Sequence, residues 1–338
     1  MALLEFTDRG IYCAQADVYI DPWKPVRRAL ITHGHGDHAR PGHDYYLCTR
    51  TARPVIRHRL GPINIETVDY GEFRLINGVR FSFHPAGHIV GSAQIRVEYQ
   101  GEIWVVSGDY KLENDGLAEA FESVPCHTFI TECTFGLPRY KWQPQAQVFT
   151  DINAWWAQNQ AEGKTTVLTG YALGKAQRIM QGLNPEIGPI FTHGAVENVN
   201  EVLRAQGIPL PKSSRLAQNT KKNQIAGGII IAPPSAVDAP WVRRFTPSSL
   251  GIASGWMAIG DAHRQRNADR GFILSDHADW DELNRAIAAT GAENIIATHG
   301  YTEQFSQWLI KQGYNAQAVK TQFEGEVFDE EKANKSRK

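Results

Sequence analysis

Several features that would assign this chain of 338 residues to a specialised class are missing. Its four cysteines form no CxxC pair and are widely spaced, which argues against a disulfide framework and a thiolate zinc site. No apolar run reaches the length of about 18 residues that a membrane span needs. Charged residues also stand too early in MALLEFTDRG for a secretory signal. We therefore expect a cytoplasmic protein that does not enter a membrane.

The sequence also lacks an excess of charge of one sign. Lys and Arg total 35 and Asp and Glu total 36, which gives a formal net charge of -1. This balance excludes a global basic signature of nucleic-acid binding, so any contact with a polyanion must be local. Arginines do cluster within 50–59, 243–244 and 264–270, where a solvated face explains them equally well.

Short apolar runs are present throughout, and several of them end in a group that can bind metal or act in catalysis. The runs RALIT, EIWVVSG, HTFIT, GFILSD and NIIAT are followed by His33, Asp109, Glu132, His277 and His299. Strands that each end in a functional side chain predict a cleft lined by the carboxyl ends of a sheet.

Helical patterns alternate with these runs. They cover about 144–161, 174–183, 195–206, 279–290 and 302–312, and Asp279 or Asp281 can cap the fourth. Alternation of this kind predicts an α/β protein. Residues 207–250 are rich in Pro, Ser, Lys and Gln, and a second, smaller α/β unit inserted between the early and late candidate ligands is expected here.

The segment THGHGDH concentrates candidate metal ligands. His33 and His35 stand two apart after an apolar run, so an extended backbone sends both imidazoles to one side, where they can bind the same ion. The two glycines allow a tight turn that brings Asp37 and His38 to a second ion. This mixture of donors suits Zn²⁺ or Mn²⁺. Asp21, in YIDPW, is either a carboxylate that orients a ligand or a turn residue before proline.

In their order along the chain, these residues resemble the motifs of a known superfamily. The first four motifs of the metallo-β-lactamase superfamily are matched by Asp21, by His33-x-His35-x-Asp37-His38, by His88 in PAGHIVGS and by Asp109 in SGDY. The three extra motifs of the β-CASP nucleases are matched by Glu132 in TECTFG, His277 in SDHAD and His299 in ATHGY. The resemblance implies a metallo-β-lactamase αββα sandwich from residues 1–140 and 268–338, with an inserted α/β β-CASP domain at 141–267.

The same resemblance implies a role for each residue. One metal would be held by His33, His35, His88 and Asp109, and the other by Asp37, His38, Asp109 and His299. Two divalent ions, Zn²⁺ or alternatively Mn²⁺, would activate a bridging hydroxide for in-line attack on a phosphodiester. His277, oriented by Glu132, would protonate the leaving oxygen. Asp21 would complete the catalytic group.

Three residues are candidates for binding the nucleic-acid backbone. Lys175 and Arg178 follow Gly174 at the start of a helix, where they either hold a phosphate or form a surface turn. Ser235, in APPSAVDAP, is a further candidate for a phosphate contact.

Within the β-CASP proteins, the chain resembles the bacterial ligase-associated DNA exonucleases. The phrases that carry this resemblance are IDPWKPVRRALITHGHGDHARPGH, IASGWM and LSDHADWDEL. It implies a DNA exonuclease that acts in DNA repair beside a DNA ligase and a helicase.

Other functions remain open. A histidine at the last motif is commoner in RNA-processing members, so an RNA-processing ribonuclease is the alternative. A small-molecule hydrolase of the superfamily is less favoured, because family lactonases and β-lactamases lack the Glu132 and His277 pair. A non-catalytic scaffold would need broken metal ligands, and none is missing from the sequence.

Overall fold

The computed structural model describes residues 2–236, 241–260 and 262–323. The chain begins with a six-stranded sheet in which β1 to β3 are antiparallel and β3 to β6 are parallel. Its strands are β1 (Glu5–Phe6), β2 (Ile11–Cys13), β3 (Val18–Ile20), β4 (Arg28–Leu30), β5 (Tyr45–Thr49) and β6 (Ile65–Val68). Helix α1 (Arg53–Leu60), which the sequence did not predict, packs Ile56 against Ala29 and Tyr46 on one face of this sheet.

A second sheet follows, and the chain returns to it near its end. Its first five strands are β7 (Phe73–Ile76), β8 (Val79–Pro85), β9 (Ala93–Tyr99), β10 (Glu102–Val106) and β11 (Thr128–Cys133). Alternate side chains of a strand point to opposite faces, so Trp104 and Val106 enter the core shared with the first sheet, whereas Val105 faces the other way.

A third, wholly parallel sheet is built from the middle of the chain, in the order β14-β13-β15-β12-β16-β17. It contains β12 (Thr165–Thr169), β13 (Ile190–Thr192), β14 (Ser214–Arg215), β15 (Ile229–Ala232), β16 (Ser248–Ala253) and β17 (Arg270–Phe272). Helices α2 (Gln145–Ala161), α3 (Lys175–Gln181) and α4 (Gly194–Ala205) contribute to one core with it. Helix α5 (Ala262–Gln265) precedes the last strand. These elements come from the part of the chain for which a second α/β unit was predicted.

The chain then re-enters the second sheet. Helix α6 (Trp280–Thr290) is followed by β18 (Asn294–Gly300), α7 (Thr302–Lys311) and β19 (Asn315–Ala318), and the second sheet has the order β19-β18-β11-β10-β9-β8-β7. Both helices pack on the face that Val105 occupies. In the described residues, two sheets therefore lie face to face with helices on both outer sides, and the fold is of mixed α/β class.

The five predicted helices are confirmed to within about two residues at either end. Asp279 caps α6 by accepting a hydrogen bond from the backbone N–H of Glu282 at 2.8 Å, and Gly291 ends it with a φ of 65°. The domain boundary after residue 267 stays a prediction, and β17, which follows that position, pairs with β16 in the third sheet. Residues 324–338 of the predicted first domain lie outside the described residues.

Candidate metal centre

The candidate ligands come from separate strand ends and meet around Asp109. His33 follows β4, His88 follows β8 and Asp109 follows β10, while His299 lies at the end of β18. All four side chains are nine-tenths or more buried. The first two sheets thus bring together, at one edge of their common core, residues that are as much as 266 positions apart in the sequence.

Three imidazole nitrogens and one carboxylate oxygen converge on a single point. His35 Nδ1 lies 3.1 Å from His33 Nε2 and 3.0 Å from His88 Nε2. Asp109 Oδ2 lies 3.5 Å from His33 Nε2 and 3.8 Å from His88 Nε2. Four donors at zinc bonding distance in a tetrahedron would be separated by about 3.4 Å. The spacing of these four atoms therefore fits one metal ion.

The outer nitrogen of each of these histidines is engaged by the protein. His88 Nδ1 donates to the carbonyl oxygen of Asp276 at 2.7 Å, and His35 Nε2 donates to that of Leu173 at 3.1 Å. His33 Nδ1 lies 3.0 Å from the Thr32 hydroxyl. Since carbonyl oxygens can only accept, the inner nitrogens of His35 and His88 carry lone pairs, which would repel one another unless a cation lay between them.

A second group shares Asp109 with the first. His38, Asp109 and His299 offer ligand atoms that all lie within 4.8 Å of one another. His38 Nε2 is buried without a hydrogen-bond partner, 3.5 Å from Asp109 Oδ2 and 3.7 Å from Asp37 Oδ2. Asp21 accepts from His38 Nδ1 at 2.7 Å and so turns Nε2 inward. A second ion would give this nitrogen a partner.

The electrostatics of the two groups differ. Burial, together with neighbouring His38, holds the pKa of His33 well below its usual value, and burial and His277 lower the pKa of His88 to about 3. These side chains are neutral, as metal ligands must be. Burial alone would also lower the pKa of His38, but the carboxylates of Asp109, Asp37 and Asp21 outweigh burial and raise it. The carboxylates around His38 thus create a site that favours positive charge.

His277 and Glu132 form a pair beside the first group. His277 Nδ1 lies 3.0 and 2.9 Å from the two Glu132 oxygens, and both side chains are buried. Glu132 is fixed in turn by the backbone N–H of Tyr110 at 2.8 Å and by the Thr134 hydroxyl at 2.5 Å. Although burial opposes protonation, Glu132 raises the pKa of His277 to about 9. The imidazole can therefore carry a proton at neutral pH.

The remaining predicted residues lie in different surroundings. Lys175 and Arg178 are buried: Lys175 Nζ is 3.0 Å from Asp276 Oδ1, and Arg178 donates to the Ser275 carbonyl at 2.8 Å. Both cations are thus engaged inside the protein, and their contact with a phosphate stays a prediction. Ser235 is exposed in a short 3-10 turn, Pro234–Ala236.

Sequence reasoning missed several residues that build the centre. Asp276 and Leu173 act through backbone carbonyls, which leave no signal in the sequence. Thr32 contacts both Asp21, at 2.5 Å, and His33. Arg59 belongs to an arginine cluster of open function, and it donates to the carbonyl oxygens of Gly34, at 2.8 Å, and Ala39, at 3.3 Å. The sequence could have indicated this contact only if helix α1, which carries Arg59, had been predicted.

Comparisons with known proteins point to enzymes of nucleic acids. No known family model matches the chain. A protein named "Probable DNA ligase" from Opitutus terrae is 32% identical over 314 residues, which cover 92% of this chain and 30% of that protein. Endoribonucleases of Eremothecium gossypii and Saccharomyces cerevisiae are 33% and 32% identical over 118 residues, 34% of this chain and 15% of theirs. The chain therefore spans less than a third of the length of these relatives.

The chain is similar in fold to proteins of solved structure. One of them is a protein of unknown function from Enterococcus faecalis, with a TM-score of 0.58 and 11% identity, and the match covers 86% of this chain and 78% of that one.

Among the helices in the described residues, none combines the length and the apolar character that crossing a membrane requires.

Proposed function

We propose that the chain is a metal-dependent nuclease of the metallo-β-lactamase superfamily and its β-CASP group, and that it hydrolyses phosphodiester bonds of DNA, from a strand end, in DNA repair. One observation carries the proposal: two sets of buried donors share Asp109, and the His277–Glu132 pair lies beside them. The metallo-β-lactamase domain would comprise residues 1–140 and the chain beyond β17. The inserted β-CASP domain would comprise the third sheet and its helices.

The division of ligands follows the two groups of donors. His33, His35, His88 and Asp109 would hold one ion, and Asp37, His38, Asp109 and His299 the other. Two Zn²⁺ ions, or Mn²⁺, would supply a water of lowered pKa and would neutralise phosphoryl oxygens. His277, protonated and anchored by Glu132, would donate its proton to the leaving oxygen. Asp21 would act only through the orientation of His38.

The choice of DNA rests on the relative from Opitutus terrae. Its name refers to a DNA ligase, and the similarity covers nearly all of this chain but under a third of that protein. This supports action beside a DNA ligase, while a helicase partner rests on the sequence resemblance alone. RNA is the second candidate substrate, because the endoribonucleases match 34% of the chain and because the residue at the last motif is a histidine, His299.

The decisive experiment is an assay with end-labelled DNA and RNA, each single- and double-stranded. The protein is first stripped with a chelator and then reloaded with Zn²⁺ or Mn²⁺. We expect cleavage of DNA only after reloading. Cleavage of RNA alone would select the ribonuclease, and hydrolysis of a thioester or lactone without cleavage of nucleic acid would select the small-molecule hydrolase.

A further inference from the structure

An exposed tyrosine stands at the mouth of the candidate metal centre. A cavity of about 120 Å³ is lined by His35, Gly36, Asp37, Asp109, Tyr171, Asp276 and His277. Tyr171 is 42% exposed, although aromatic side chains usually bury most of their surface. Of the other large apolar side chains exposed in the described residues, Phe73 and Leu75 lie on strand β7 and Ile310 on helix α7, so Tyr171 alone lines this cavity.

The backbone that carries Tyr171 is fixed. Tyr171 lies just after β12, and its carbonyl oxygen accepts a hydrogen bond from the backbone N–H of Ala176 at 2.9 Å. The neighbouring Gly170 donates to Ala232 at 3.1 Å, and Ala172 accepts from Gln177 at 2.9 Å. An aromatic ring on a rigid loop loses little conformational entropy when it binds a ligand.

The ring of Tyr171 also contacts a positively charged side chain. Lys175 Nζ lies 5.3 Å from the centre of the Tyr171 ring, within the range of a cation–π contact. Lys175 is in turn held by Asp276, another residue of the cavity wall. A buried cation thus lies against one face of the aromatic ring at the cavity.

We propose that Tyr171 is a stacking platform for the base of the nucleotide at the cleavage site. A ring beside a phosphodiester-cleaving centre can stack on any base, because every base has a π face. A base inside an intact duplex is already stacked on its neighbours, so the substrate is a strand whose base at this position is unpaired. The inference rests on the proposed nuclease function and defines its substrate class.

The test uses Tyr171→Ala and Tyr171→Phe in the full, metal-loaded chain. The substrates are two single-stranded oligonucleotides that differ only in a base or an abasic site at the cleaved nucleotide. On the intact strand, we expect Tyr171→Ala to lower kcat/KM by roughly 5- to 150-fold, the range for one base stacked on an aromatic ring. Tyr171→Phe should stay near wild type. On the abasic strand, wild type and Tyr171→Ala should be equally slow.

A second readout does not depend on turnover. With the metal removed by chelation, fluorescence anisotropy of a labelled oligonucleotide should show weaker binding to Tyr171→Ala and nearly unchanged binding to Tyr171→Phe. Thermal unfolding of both variants checks that they fold. An equal loss on both strands, or a loss in Tyr171→Phe as large as in Tyr171→Ala, would overturn the stacking role.

The outcomes separate this inference from the proposed function. If wild type and Tyr171→Ala cleaved the intact strand at the same rate, the stacking role would be wrong and the proposed nuclease function would stand. If wild type cleaved neither DNA nor RNA, the nuclease function would be wrong, and stacking would survive only if binding still depended on the ring.

Discussion

Each imidazole of the candidate centre uses one ring nitrogen for a contact with the protein and directs the other toward the point where the ligand atoms converge. Asp21 illustrates this at the scale of a single residue, because one carboxylate accepts from His38 Nδ1, from the Thr32 hydroxyl and from the Thr32 backbone N–H. The residue adopts a φ of 42°, a left-handed conformation that Asp and Asn tolerate better than most residues. A local backbone conformation thus determines which nitrogen of His38 faces the centre.

Asp21→Asn should weaken zinc binding by roughly 10- to 100-fold, because it removes the charge that orients His38 while keeping a side chain suited to this backbone. Competition with a chromophoric chelator measures the affinity. Asp8→Asn, at an exposed carboxylate paired with Lys24, is the matched control and should bind zinc normally. Equal affinities in the two variants would remove Asp21 from the support of the centre.

His277→Ala should keep the zinc content of the protein and lose roughly 100- to 10,000-fold in turnover, the usual contribution of a general acid. Metal analysis of the purified variant and initial rates on single-stranded DNA give the two measurements. Glu132→Gln preserves the size of the partner and should fall between wild type and His277→Ala. Turnover near the wild-type rate in His277→Ala would disprove the general-acid role.

Helix α4 is joined to the strand before it and to the loop after it by the carboxylate of Glu197. Glu197 accepts from Thr192 at 2.5 Å, from Arg204 at 2.6 Å and from Ser213 at 2.7 Å. Although burial opposes ionisation, the hydrogen bonds from these residues and Asn200 lower the pKa of Glu197 to about 2. One carboxylate therefore links the preceding strand, the helix and the returning loop.

Glu197→Gln should lower the free energy of unfolding by about 3 kcal/mol at pH 7, which corresponds to a pKa depressed from 4.5 to about 2. A depressed pKa contributes stability above the unfolded-state value, and that contribution is lost as the pH falls from 4.5 through 2. Urea unfolding between pH 7 and pH 3 should show the gap to wild type narrowing below pH 4.5. Glu201→Gln, at a side chain that is 62% exposed on the same helix, is the control and should change the free energy of unfolding only slightly at pH 7.

At the scale of the whole molecule, the third sheet and the metal centre are connected through buried contacts. Leu173 packs with Val55 and Ile89, and its carbonyl holds His35. Gly174 has a φ of 90°, and a Cβ there would lie 2.3 Å from Ile89 Cγ2, so the chain can approach this closely only without a side chain. The unit built on the third sheet therefore helps to shape the centre.

Lys175→Met should destabilise the protein by about 3 to 5 kcal/mol, because it leaves Asp276 buried without its ion-pair partner. Chemical denaturation monitored by tryptophan fluorescence measures the loss. Lys164→Met, which breaks an exposed pair with Glu162, is the control and should cost about 1 kcal/mol or less. A small effect at both positions would mean that Asp276 finds another partner or becomes protonated.

The local elements and the chemical type of the candidate centre could be predicted from the order of residues along the chain. Helix α6 could be predicted because its cap, Asp279, and its buried face lie within one short segment. His33, His35, Asp37 and His38 predict a metal site because four donors stand within six positions. Both signals come from residues that are close together in the sequence, so they can be recognised without knowing how the chain folds.

Which groups meet across long distances in the sequence became visible only in the folded chain. The sequence makes Lys175 a candidate phosphate ligand because a cation at a helix start suits that role, but it does not show that this side chain is buried against Asp276. The carbonyl of Leu173 reaches His35 from 138 positions away, and Tyr171 reaches the cavity from the third sheet. These contacts arise from the way the sheets pack on one another, and long-range packing is not encoded in the spacing of residues along the chain.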